Sequence, residues 1–111
     1  MNHTEQTAYI WPVLIVAAHR QQILSYADLR GFTGISQVGF SEPLGMIHRY
    51  CERHDYPCLN LIVVKRETGL PGEGHPGKGM TPTDILVEQA KVFVFDWSNK
   101  EKPCSTDFEG A

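Results

Sequence analysis

Apolar positions recur along this chain at helical spacing in its first and last thirds and as an unbroken run near its middle. From His3 to Gln21, the residues Tyr9, Ile10, Val13, Leu14, Val16 and Ala17 repeat at a period of about 3.6, predicting one buried helix over roughly Thr7–Gln21. Pro12 falls inside that pattern and marks either the first turn of a helix begun near Trp11 or a kink in a longer one. Ser25 and Asp28 have capping-box spacing, so a short helix opens at Tyr26 and is expected to stop after Arg30, at Gly31. The turn GFTGIS follows, with Gly34 free to take a positive φ. Ser41 and Pro43 then open a longer helix reaching about His54. Its pattern turns Leu44, Met46, Ile47 and Tyr50/Cys51 inward and leaves His48, Arg49, Glu52 and Arg53 toward solvent.

The run Leu59–Lys65 reads as a strand, bracketed by Pro57 and by the turn Arg66-Glu67-Thr68-Gly69. GLPGEGHPGKG comes next, a glycine-rich hairpin over Lys65–His75 and beyond. Thr81, Pro82 and Asp84 form a helix start, with the helix expected to continue through VFVFDW to near Ser98. Past Ser98 the apolar period ends, which predicts a loose tail. Helix, helix, strand and Gly-rich ribbon is the order of a winged helix-turn-helix. The expected class is therefore α+β: helices packed on a small β-sheet or hairpin, with a C-terminal helix. One domain over residues 1–98 and a flexible tail over 99–111 complete the expected organisation.

Composition adds bounds. At 111 residues the chain can bury an ordinary core without disulfides or a metal. Trp11–Ala18 is too short to span a membrane, and no basic segment or cleavage motif marks a secretory signal. Cys51, Cys58 and Cys104 are odd in number and lack CxxC spacing, which fits a reduced cytoplasmic protein. The net charge of −3 is unevenly spread. His19–Arg66 carries six Lys/Arg against four Asp/Glu, while Glu67 to the end carries four against eight. A mildly basic middle suits an anionic partner, and the acidic C-terminal part suits the alternative of a protein-interaction module of inhibitor or immunity type.

Candidate chemistry is sparse. Gly72 and Gly77-Lys78 have phosphate-loop spacing, but Gly79 stands where that motif needs a hydroxyl, so a wing is the simpler reading. Arg30, Arg49, Arg53, Lys65, Arg66 and Lys78 are the candidates for phosphate contacts with duplex DNA. An alternative acid–base set for a nuclease or hydrolase is His48, Glu52, Glu73 and His75, with His48 and Glu52 sharing a helix face. Their spacing matches no zinc motif, and neither a metal nor a cofactor is expected. Cys58 can act as a nucleophile only if folding brings a base beside it.

SYADLRGFTG, the helix after it, the apolar strand and the Gly-rich hairpin resemble the C-terminal DNA-binding domain of alkylguanine-DNA alkyltransferases and alkyltransferase-like proteins. Tyr26, Leu29 and Val63-Val64 carry the likeness. It implies a winged-helix scaffold that binds DNA through Ser41–His54 and the wing. Laid on the family's Pro-Cys-His-Arg-Val strand, LNLIVV puts Asn60 at the alkyl-accepting cysteine and Leu61 at its histidine partner, with Cys58 two residues early. The family's base-propping arginine falls near Glu42. The resemblance thus implies a non-enzymatic DNA-binding domain without alkyl transfer.

Overall fold

Asn2 opens the first element by accepting from the Glu5 N–H at 2.9 Å, while the Glu5 carboxylate accepts from the Asn2 N–H at 3.1 Å. That reciprocal cap starts helix α1, His3–His19, four residues before the expected start. Pro12 is accommodated inside it, and Thr7, Ile10, Trp11, Leu14, Ala17 and Ala18 form its buried stripe. Tyr9 and Val16, assigned by pattern to the same apolar face, are exposed. This computed structural model describes residues 2–71 and 80–110.

Helix α2, Tyr26–Thr33, carries the expected Ser25–Asp28 box, with both bonds at 3.0 Å. It runs through Gly31, since a glycine inside a helix costs only about 1 kcal/mol. It ends at Gly34, which takes φ 73° and donates to the Arg30 carbonyl at 2.8 Å. Helix α3, Ser41–Arg53, is led in by a 3₁₀ turn at Gln37–Phe40 rather than by a Ser41 side-chain cap. Pro43, Leu44, Ile47, Tyr50 and Cys51 are its buried face.

The run expected as a strand divides. Leu59–Ile62 is a 3₁₀ turn, and only Val63–Val64 is extended, as β2. All six residues from Leu59 to Val64 are buried, so the unbroken apolar run has no period to tell a turn from a strand. β2 pairs in parallel with β1, Leu24–Ser25, with Leu24 opposite Val63 and Ser25 opposite Val64. After β2 the chain turns back at once. Lys65 N–H donates to the Leu70 carbonyl at 2.8 Å, and Gly69 takes φ 69°. The rest of the expected hairpin lies outside the described residues.

Helix α4, Pro82–Val94, has the predicted Thr81–Asp84 box and Pro82 in its first turn. It stops short of the expected Ser98, because Phe95 is extended and the Trp97 indole N–H folds back to the Val92 carbonyl at 2.9 Å. The segment after Ser98 is held down, contrary to the expected loose tail. Phe108, in a 3₁₀ turn at Ser105–Phe108, is fully buried, its ring 5.2 Å from Tyr50 and 6.0 Å from Trp11. Trp97 meets the same Trp11 at 5.9 Å, so one aromatic cluster ties α1, α3 and the chain end together. The fold is α+β and mostly helical, with a small parallel two-stranded sheet. No described helix is long and apolar enough to cross a membrane.

Candidate functional site

The site arises from how α3 ends. Asp55 takes φ 61°, and the Tyr56 N–H donates back to the Cys51 carbonyl at 2.8 Å, the bond of a left-handed helix stop. The reversal lays Pro57-Cys58 back along α3. The 3₁₀ turn that follows is closed by Leu61 N–H to the Cys58 carbonyl at 3.0 Å and held by Gln89, whose buried amide donates to the Leu61 carbonyl at 2.8 Å. Cys58 is thereby fixed from both sides.

Its sulfur lies 3.5 Å from Nδ1 of His48. The other ring nitrogen, Nε2, lies 3.3 Å from Oε2 of Glu52, one turn further along α3. The imidazole thus meets a thiol at one ring nitrogen and a carboxylate at the other. The His48 side chain is only 17% exposed, against 73% for Glu52. His48 is thus partly buried, more sheltered than its helical position suggested.

Burial pushes the His48 imidazole below its ordinary value of 6.5; Glu52 opposes the shift and Arg49 adds to it. Burial likewise pushes the Cys58 thiol above 9.0, reinforced by Glu88 and Glu52 and opposed by Lys91. Both shifts favour the uncharged forms, thiol and imidazole. A carboxylate 3.3 Å from Nε2 favours a proton on that nitrogen, and with the proton there Nδ1 is the acceptor facing the thiol. This is the tautomer a general base needs. The two carboxylates and Lys91, which pairs with Glu88 at 2.9 Å, make the surroundings polar.

The other candidates are dispersed. Arg49 pairs with Glu42 at 3.3 Å, and Arg53 donates to the Asp107 carbonyl at 3.1 Å while lying over the Tyr50 ring. Arg30 is exposed near the end of α2. Lys65 and Arg66 follow β2 and line a small hollow with Tyr26, Ala27 and Glu67. Lys78, Glu73 and His75 lie outside the described residues. Among the described residues, no cluster of three His, Cys, Asp or Glu side chains is arranged to hold a metal ion. Of the acid–base set, the described members His48 and Glu52 stand together, and Cys58, from outside that set, joins them.

No family model matches the chain, and neither a curated protein nor a solved structure matches it.

Proposed function

We propose that Cys58 is the nucleophile of a thiol-dependent acyl transfer or hydrolysis, with His48 as general base and Glu52 orienting the imidazole. The observation that carries this reading is the Cys58–His48–Glu52 set, with contacts of 3.5 and 3.3 Å. A thiol raised by burial is a weak nucleophile alone, so the step needs a base in contact. Sγ attacks an acyl carbon as its proton passes to His48 Nδ1. The imidazolium is stabilised by Glu52 and returns the proton to the leaving group. Water, or a second nucleophile, activated by the same imidazole then releases the acyl group and restores the thiol.

p-Nitrophenyl acetate is the test substrate. One equivalent of nitrophenol should be released in a burst, with one acetyl group on Cys58. Cys58→Ala should abolish the burst and His48→Ala should slow it by about 10²–10⁴-fold, the usual weight of general-base assistance. Acetylation confined to Cys104, or a burst that survives Cys58→Ala, defeats the reading.

A second reading is contact with duplex DNA. Arg49 and Arg53 stand one turn apart on the exposed side of α3, and the chain turns back at Lys65–Leu70 directly after β2. This reading supposes a winged-helix arrangement and is compatible with a thiol site on the same helix. It weighs less here, because each arginine already has an intramolecular acceptor.

A further inference from the structure

Cys58 has a second cysteine at its back. Cys51 lies three residues after His48 on α3, so the two side chains share a helix face about 5–6 Å apart at Cβ. Cys58 touches His48 at 3.5 Å. The chain joining the cysteines doubles back through Tyr56 N–H to the Cys51 carbonyl at 2.8 Å. The N–H of Leu59, the residue bonded to Cys58, is turned toward the Cys51 sulfur. Together these relations bring the Cys58–Leu59 segment back against the turn of α3 that carries Cys51, the approach from which a disulfide forms.

Their environments differ. Cys51 has no exposed surface, whereas Cys58 is half-buried beside a base. We infer that Cys58 is a peroxide-oxidised modification site and that Cys51 resolves it as a reversible intramolecular disulfide. This rests on the Cys58–His48 thiol reading in one respect only: His48 assists the first step.

The chemistry balances. As His48 takes the thiol proton, Cys58 sulfur attacks one oxygen of hydrogen peroxide and the O–O bond breaks. The leaving hydroxide takes up that proton as water, and Cys58 holds a sulfenic acid. The Cys51 sulfur then attacks the Cys58 sulfur, forming the S–S bond. The S–OH bond breaks, and the Cys51 thiol proton leaves with the hydroxyl as a second water. Cys51 is shielded from peroxide itself, which fixes the order of events.

The test treats the full chain with equimolar hydrogen peroxide and maps its peptides without reduction. A Cys51–Cys58 linkage, reversed by dithiothreitol, is the expected result. In Cys51→Ser, and in Cys51→Ala as a second variant should the hydroxyl disturb the core, dimedone should trap the Cys58 sulfenic acid. Continued oxidation of either variant should then proceed to sulfinic acid that dithiothreitol does not reverse. Wild-type protein that accumulates dimedone-reactive or sulfinic Cys58 without the linkage overturns the inference, as does a disulfide formed only through Cys104. A Cys51–Cys58 linkage without Cys58 acetylation defeats the acyl-transfer reading and leaves this one standing. The reverse pair of results does the opposite.

Discussion

The sulfur of Cys58 and Nδ1 of His48 lie 3.5 Å apart because a single left-handed residue, Asp55, turns the chain back along α3. Each residue is ordinary alone. Together they form a thiol with a base in contact, and the first prediction concerns its pH profile. Alkylation of Cys58 by iodoacetamide should show two rises. The lower one follows loss of the His48 proton and lies below the imidazole's ordinary 6.5, since burial depresses it. The upper one follows direct ionisation of the thiol and lies above 9.0. His48→Ala should delete the lower rise and keep the upper. A single rise above 9.0 in wild-type protein would show that His48 gives no assistance.

The same shift fixes the sign of a stability effect. The folded-state value for His48 is below 6.5, so on acidification the unfolded chain takes up this proton first. Stability is therefore complete above 6.5 and falls as the pH drops from there toward the folded-state value. His48→Gln should flatten that limb in urea unfolding. The caps Asp28, Asp96 and Asp107, each lowered from 3.8 chiefly by hydrogen bonds, lose their contribution only as the pH falls below 3.8, in a separate window. A wild-type decline that begins only in that lower window would contradict the His48 assignment.

Asp55 links fold to site. A β-branched residue in the left-handed region costs about 1–2 kcal/mol, whereas glycine takes it freely. Asp55→Val should therefore lower stability by about that much and slow Cys58 alkylation toward the His48→Ala rate. Asp55→Gly should preserve the alkylation rate. Equal rates in all three proteins would mean the Cys58–His48 approach does not depend on this turn.

The parts legible in the sequence are those whose cause is local. The Ser25–Asp28 and Thr81–Asp84 boxes are satisfied by residues three apart, so the caps of α2 and α4 stand where the pattern put them. The inward face of α3 follows from its period, with Leu44, Ile47, Tyr50 and Cys51 buried as expected. Leu59–Ile62 was not legible, because an unbroken apolar run fits a buried turn as well as a strand. The Asn60 and Leu61 register taken from the resemblance assumed extension across that run. Folding leaves Cys58 as the cysteine beside a base. His48 was half legible. Its helical position was right, but nothing local shows that the chain returns to cover it. Phe108 had no signal at all, since its partners Trp11 and Tyr50 are distant in sequence.

Phe108 shows how much such a distant contact weighs. Its ring is fully buried in the aromatic cluster, and Phe→Ala at a site of this kind costs about 3–5 kcal/mol. Phe108→Ala, or removal of residues 105–111, should lower the urea midpoint accordingly. Tyr50 and Trp11 would lose a covering ring, and tryptophan fluorescence should report greater exposure. A change under about 0.5 kcal/mol, the range of surface substitutions, would mean the chain end is not held as described.

The second reading yields a quantitative expectation for α3. Arg49→Ala and Arg53→Ala should each weaken duplex binding by about 1 kcal/mol, the loss of one charge-assisted phosphate contact at a solvated surface. Each should also reduce the slope of log K against log salt by about one unit, because one fewer counterion is released. Arg49 is tied to Glu42, so Glu42→Gln frees its guanidinium and should strengthen binding. Lys91→Ala, on α4 and paired with Glu88, should change little. The arginines do not touch Cys58, so neither substitution should abolish the p-nitrophenyl acetate burst. Binding that is absent at about 50 mM salt, where phosphate contacts are strong, ends the DNA reading without touching the thiol site. Binding whose salt slope ignores both arginines would place the phosphate contacts elsewhere, with Arg30, Lys65 and Arg66 the remaining described candidates.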